Sequence, residues 1–277
     1  MKYILAHDLG TSGNKATLFT ENGKMIASEV FSYDTHYFND TWVEQNAEDW
    51  WTAVCQTSKN LLQGGNIDPH DVAVVSFSGQ MMGCLCVDEQ GNPLRPSIIW
   101  ADQRAQDQVK QIEAHISQRD FYHIVGHRNT ASYGIQKLMW VRDNEPEIYS
   151  RTYKTLNAKD FVIFRLTGKF YTDYSDGNSN GCFDLNNFKW SEDILKYAGI
   201  CALLAIIPEP TIATLNLLLI KFIPSFYCLT GFFLLYIVSR SISTPPSTIN
   251  LMGCGRFRVE SILLNTTISN APAILPV

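Results

Sequence analysis

Hydrophobic positions near the start of the chain alternate with polar ones as they do in strands. A short apolar strand leads into Asp8; Ala16 to Phe19, the turn residues Glu21-Asn22-Gly23, and Met25 to Val30 then predict the return strands of a hairpin. The period changes at Asn46. Trp50, Val54, Leu61 and Leu62 form the apolar stripe of a helix with Asn46 as its N-cap, Glu48 and Asp49 in its first turn and Gly64-Gly65 at its stop. Trp50 and Trp51 read as core. Val72 to Phe77 is a continuous apolar run, which predicts a buried strand. It delivers Ser78-Gly79-Gln80-Met81-Met82-Gly83 to its C-terminal end, where open α/β sheets place ligands. Cys84 to Val87, a turn over Asp88 to Pro93, and Ile98-Ile99-Trp100 continue the sheet, and a polar helix is expected from the Trp100–Arg104 segment to about Ser117.

The turn after the first strand carries candidate chemistry. It reads Asp8-Leu9-Gly10-Thr11-Ser12-Gly13-Asn14-Lys15: a carboxylate, two glycines, two hydroxyls and a cation. Glycines let backbone N–H groups crowd a phosphate, and turn amides make an anion-binding nest. Asp8 suits Mg²⁺, directly or through water, because that ion takes hard oxygen ligands and keeps several waters. The plainer alternative is an ordinary glycine-turn hairpin.

Charge and cysteine usage narrow the class. A net charge of −5 argues against a nucleic-acid partner. Met1 to Ala6 is too short for a signal peptide and runs into His7-Asp8. The seven cysteines are scattered with no Cys-x-x-Cys pair, which reads as a reduced, cytoplasmic protein. Cys84 and Cys86 share one strand face and read as core. Composition then breaks near Ile200. Of the 22 basic and 27 acidic residues, only Glu209, Lys221, Arg240, Arg256, Arg258 and Glu260 lie beyond it. Two regions of one folded domain seldom differ so much.

Asp8 to Lys15 resembles the first phosphate loop of the sugar-kinase, Hsp70 and actin superfamily, and more narrowly that of the FGGY carbohydrate kinases, the xylulose kinases among them. No Walker A pattern is present. Further matches follow in the family's order. Gly79-Gln80-Met81-x-Gly83 resembles the loop that holds the sugar, and Trp100-x-Asp102-x-Arg104 the family's Trp-x-Asp-x-Arg run. Trp100, Gln80, Asp102 and Arg104 supply the stacking face and paired hydrogen-bond groups that a sugar needs, although Asp102 and Arg104 could instead cap the following helix. Met82 stands where the xylulose-kinase pattern commonly has His; Met cannot donate a hydrogen bond, which bears on the choice of sugar. Lys137 to Asn144 is similar to the family signature, with Leu138 and Val141 inward, Glu145-Pro146 as its stop, and Gly134 where Pro, Ser or Thr is usual. Leu156 to Phe161 with Arg165-Leu166-Thr167-Gly168 resembles the family's Lys-Asp helix and its stop. Thr172 to Asp176 resembles the loop before a Phe183-Asp184-Leu185 strand, and Trp190-Ser191 to Gly199 the helix after it. The charged residues of these later motifs are expected to be solvated or structural, and none catalytic.

The resemblance implies an α/β, ribonuclease H-like (actin/Hsp70/sugar kinase) domain over 1–200, with a mixed sheet and flanking helices. It implies an ATP-dependent kinase that moves the γ-phosphate to a hydroxyl of xylulose or a related sugar with Mg²⁺. Asp8, Gly10, Thr11, Ser12 and Lys15 would serve MgATP, with Asp8 at the metal. Gln80, Met81, Met82, Trp100, Asp102 and Arg104 would serve the sugar. Partners are then ATP and a small sugar, without nucleic acid or membrane, and a homodimer stays open. The family's base is an Asp in a Gly-Gly-x-Asp-Asn-like loop; here no Asp follows Asp193, and Gly253-Cys254-Gly255 lacks an acid. The family's adenosine-binding second domain has no counterpart in this sequence either, so the chain alone is expected to be inactive. Residues 201–277 form an atypical apolar tail with no domain assigned. Leu215 to Val238 approaches a bilayer span but holds Lys221 and Pro224; an out-of-frame origin accounts better for the abrupt change. Alternatives are a non-catalytic sugar-binding module, a membrane-tethered fragment, or a chain that exposes half a cleft and does not fold.

Overall fold

The alternation of the first thirty residues becomes three strands. The computed structural model describes residues 1–200. The 215–238 run and the Gly253-Cys254-Gly255 cluster lie outside the described residues. Strands β1 (Tyr3–Leu9), β2 (Gly13–Thr20) and β3 (Met25–Ser32) pair antiparallel in succession. Gly13 is required where β2 meets β3, because a Cβ there would sit 2.6 Å from the Phe31 carbonyl oxygen. Two short strands follow, β4 (His36–Phe38) and β5 (Trp42–Gln45), and then helix α1 (Ala47–Gly64), capped by Asn46 as expected. Strand β6 (Val72–Gly79) returns parallel to β1, so the sheet is mixed and ordered β3-β2-β1-β6. Leu5, Leu9, Ala16 and Leu18 from the sheet pack with Trp50, Val54 and Leu61 of α1. His7 lies in the same layer, and burial pushes its pKa down to about 4, so the imidazole is neutral. The continuous apolar run of β6 is buried at Val72, Val74 and Val75 but exposed at Ala73, because β6 ends the sheet.

Strand β7 (Leu85–Val87) separates two cores. Leu85 and Val87 belong to the core under the sheet, while Cys84 and Cys86 project into a second core with Ile98, Ile112, Phe121 and Met139. The period of two that put both cysteines on one face therefore gives each face its own partner. Strand β8 (Ser97–Ile98) pairs with β5.

The helix expected to reach Ser117 is interrupted. Helix α2 covers only Gln106–Glu113, and α3 (Gln118–Val125) begins afresh. Ser117 has extended backbone and accepts from Asp120 N at 3.1 Å, so its preference for an N-cap starts a new helix where the old one was expected to finish. Helix α4 (Gly134–Asn144) starts earlier than expected and is buried on every side from Gly134 to Val141. Its first residue has no room for a side chain: a Cβ on Gly134 would lie 2.6 Å from Asn180 Oδ1. Helix α5 (Pro146–Arg151) and strand β9 (Lys154–Leu156), which pairs with β7, lead to α6 (Ala158–Thr167), closed by Gly168 at φ 68°. The loop expected over Thr172–Asp176 is partly helix, α7 (Tyr174–Ser179), because the Asp173 carboxylate caps Ser175 N and Asp176 N. The chain continues through β10 (Phe183–Asp184), β11 (Lys189–Trp190) and α8 (Glu192–Tyr197). Among the described residues no helix is long and apolar enough to cross a membrane.

Of the two expectations for the charges of the later motifs, solvated or structural, one group is structural. Lys159, Asp160 and Asp176 are buried together beside Asp173. Burial opposes the charge on Lys159, yet Asp176, Asp173 and Asp160 around it raise its pKa. Burial, and then the neighbouring Asp176, raise that of Asp160; burial pushes Asp176 up to about 6. Asp173 is half-buried; burial acts to raise its pKa, but its ion pair with Lys159 outweighs that and holds the pKa low. A carboxyl kept protonated tolerates an amide in its place, whereas removing one partner of a buried pair costs several kcal/mol. At about pH 4, Asp160→Asn is therefore expected to change unfolding free energy by less than ~1 kcal/mol, and Asp173→Asn to lower it by ~2–4 kcal/mol, read by urea denaturation. Folded Asp160 and Asp176 keep protons that unfolded carboxyls lose above about pH 4. Their contribution to stability therefore falls between about pH 4 and 6, the range set by Asp176, and Asp160→Asn should flatten that slope.

Candidate active site

The two loops singled out in the sequence leave the same edge of the sheet. In the parallel register Asp8 sits opposite Ser78 and Leu9 opposite Gly79, and Gln80 N donates to the Leu9 carbonyl at 2.7 Å. The turn of Gly10 to Ser12 and the loop of Gln80 to Gly83 are thus neighbours by construction.

In the first loop the carbonyls are held from within. Gly10 O accepts from Tyr33 Oη at 2.5 Å, Thr11 O from Gln45 Nε2 at 2.6 Å and Thr35 Oγ1 at 3.2 Å, and Ser12 O from Tyr33 N at 3.3 Å. In a trans peptide the next N–H points opposite to the carbonyl, so pinning these oxygens turns the amides that follow them outward. Burial, and then the Asp8 carboxylate, raise the pKa of Tyr33 and keep it a phenol able to donate to Gly10. Asp8 is exposed and accepts from Ser78 Oγ at 3.0 Å. Lys15 is exposed across the β1–β2 pair, in register with Asp8. An exposed carboxylate, an exposed cation and outward amides are a donor set that fits magnesium and phosphate oxygens.

The second loop is fastened at successive residues. Gln80 Nε2 donates to Gln45 Oε1 at 2.6 Å. Met82 takes a left-handed φ of 61°, its amide donating to Ser179 Oγ at 3.1 Å, and Gly83 N donates to Asn157 Oδ1 at 2.8 Å. Met81 between them is half-buried. Lys137, fully buried, donates from Nζ to the carbonyls of Met82 (2.6 Å), Ile99 (2.8 Å) and Ser132 (2.6 Å), one acceptor for each hydrogen of an ammonium. Burial pushes its pKa down to about 7, so this cation is held close to its titration point. Trp100, 43% exposed, donates from its indole to Thr11 Oγ1 at 2.9 Å. Thr11, Gln80 and Trp100, far apart in the chain, therefore form one patch.

Asp102 and Arg104 face inward. Asp102 Oδ2 accepts from Val43 N at 2.6 Å and pairs with Arg104 Nη2 at 2.7 Å, while Arg104 Nη1 lies 2.8 Å from Glu44 Oε1. The guanidinium carbon sits 4.0 Å from the Trp42 ring centre and 4.9 Å from that of Trp140. Both side chains are spent within the protein, tying β5 to the segment that presents Trp100.

Gln45, Lys137, Asn157 and Ser179 were not read from the sequence as site residues. Lys137 lay inside a recognised helical motif, but only its burial shows what it holds. Gln45 had no signal beyond its place before the cap of α1.

The sequence profile of the FGGY family of carbohydrate kinases, N-terminal domain, matches residues 3–211. The chain is 31% identical to xylulose kinase of Staphylococcus xylosus over 195 residues, 70% of this chain and 40% of that protein. It is 29% identical to gluconokinase of Bacillus subtilis over 198 residues, 72% of this chain and 38% of that protein. The crystal structure of ligand-bound xylulose kinase from Lactobacillus acidophilus superposes with a TM-score of 0.74 at 26% identity, covering 83% of this chain and 46% of that one. The chain thus spans about 40% of the length of the curated relatives it matches.

Replacing Lys137 leaves three carbonyls short of a donor. Lys137→Met is expected to lower unfolding free energy by ~2–4 kcal/mol, measured by urea denaturation. Loss within experimental error of zero would show that the three hydrogen bonds contribute nothing net.

Proposed function

Because the chain belongs to the FGGY family of carbohydrate kinases, we propose that residues 1–200 form the sugar-receiving, phosphate-cradling half of an ATP-dependent phosphotransferase. The acceptor in this reading is xylulose or a related sugar. Asp8 would hold Mg²⁺ through its exposed carboxylate, and Gly10, Thr11, Ser12 and Lys15 the phosphate oxygens. Magnesium would supply charge neutralisation of the transferring group. Gln80, Met81 and Met82 would line the sugar, with Trp100 offering its exposed face; Asp102 and Arg104 would set that segment from behind.

The observation that carries the reading is the single patch of Thr11, Gln80 and Trp100. It supports the reading because residues proposed for the sugar and residues proposed for the phosphate share one hydrogen-bonded network, and transfer needs the two ligands side by side. Phosphoryl transfer is largely positioning and charge stabilisation, with a carboxylate to receive the hydroxyl proton. No Asp follows Asp193 in this sequence, and the exposed Asp8 is committed to the metal in this reading. The 277-residue chain is accordingly read as a binder of sugar that does not transfer phosphate on its own.

Isothermal titration of the purified chain with D-xylulose, D-ribulose, D-gluconate and glycerol is expected to give saturable binding of at least one. A coupled assay with ATP and Mg²⁺ is expected to give no turnover above a blank. Binding of none overturns the sugar site; turnover overturns the inactivity.

A further inference from the structure

Gln45 closes β5 and is fully buried, and every one of its side-chain hydrogen-bonding positions has a partner. Two of those partners have fixed polarity. The Thr11 carbonyl can only accept and lies 2.6 Å from Nε2; the Trp50 indole can only donate and lies 3.0 Å from Oε1. Turning the amide over would set oxygen against oxygen and NH₂ against N–H, both out of water. Thr35 completes the donor side, taking the second Nε2 hydrogen at 2.7 Å while giving its own to Thr11 O at 3.2 Å. The remaining lone pair of Gln45 Oε1 faces Gln80 Nε2 at 2.6 Å.

The orientation of Gln80 follows. Its NH₂ group must point to Gln45, which leaves Gln80 Oε1 as the atom of the amide turned away from Gln45. That oxygen is enclosed and has no hydrogen-bond partner among the described residues. Resting on the sugar-kinase reading above, we propose that Gln45 is a positioning residue that locks Gln80 as a hydrogen-bond acceptor, so that this loop takes a hydroxyl of the sugar and not a carbonyl or ether oxygen. Thr11 belongs to the phosphate loop and Trp50 to the core of α1, so the polarity offered to the sugar is set by the same carbonyl that turns the phosphate-loop amide outward.

The full 277-residue chain, uniformly labelled with ¹⁵N, tests the lock without any ligand. Trp50 Nε1 and Gln80 Nε2 converge on one oxygen, so a nuclear Overhauser contact is expected between the Trp50 indole proton and a slowly exchanging Gln80 side-chain amide. A Gln80 amide that is averaged by rotation and lacks this contact overturns the proposal. D-xylulose titration supplies the second arm. Gln45→Met and Gln80→Glu are each expected to weaken binding about tenfold or more, and the double variant no further than either alone, because both remove one arrangement. Additive losses, or full affinity in Gln45→Met, overturn it; a merely structural Gln45 would lower the melting temperature and spare the coupling. Gln80→Glu lies in a half-buried loop and keeps the test open if Gln45→Met does not fold. Should the unaltered chain bind no sugar, the sugar-kinase reading fails, and the amide contact by itself decides whether Gln45 sets Gln80.

Discussion

The parallel pairing of β1 with β6 is the constraint on which the rest of this molecule depends. Parallel neighbours end at the same side of a sheet, so whatever follows β1 and whatever follows β6 must meet. Here a glycine-rich turn follows one and a Gln-Met-Met loop the other, and the Gln80 amide bonds to Leu9 one residue before that turn begins. No long-range recognition is needed to bring the two together; the ladder does it. The cover of α1 and α6 fixes the sheet beneath, and the interior ties of Gln45, Lys137 and Asn157 fix the loops above.

Those ties are made almost wholly by buried polar groups, and this is where the interior departs from a purely apolar one. Arg104 lies between Trp42 and Trp140 with carboxylates on two sides, and Lys137 has a carbonyl for each of its hydrogens. A buried ion of either kind contributes little net stability over a well-packed apolar group, but it accepts very few geometries. What such groups supply is direction. Each one dictates where a carbonyl or a side chain of the presenting loops must lie.

Much of the fold was legible in the sequence because it is written in period and punctuation. The hairpin of β1 to β3, the Asn46 cap, the Gly168 stop and the two-faced alternation at Cys84 to Val87 all follow from local rules. The neighbourhood of the two candidate loops was legible for a related reason: each follows an apolar run that reads as a strand, although a glycine turn after the first strand also fits an ordinary hairpin. What escaped was set by contacts between distant residues. Lys137 and Lys159 look like surface charges until their carbonyl and carboxylate partners arrive from other elements, and Gln45 is an unremarkable amide until Thr11, Thr35, Trp50 and Gln80 surround it. The split of the helix expected to reach Ser117 is a different case, since a serine with an acid three residues on is a start signal that local reading could have weighed more heavily.

Strand β7 carries a consequence for how this protein can change over time. With Leu85 and Val87 in one core and Cys84 and Cys86 in the other, neither face of the strand is spare. Inserting or deleting one residue just before it would exchange the two faces and spoil both interiors in a single step. A change of length between Gln80 and Leu85 must therefore be taken up within the loop, or it exchanges the two faces of the strand. A lineage that altered what this loop recognises by exchanging side chains at constant length would avoid that cost, which makes Met81 and Met82 the natural places for such exchanges to accumulate.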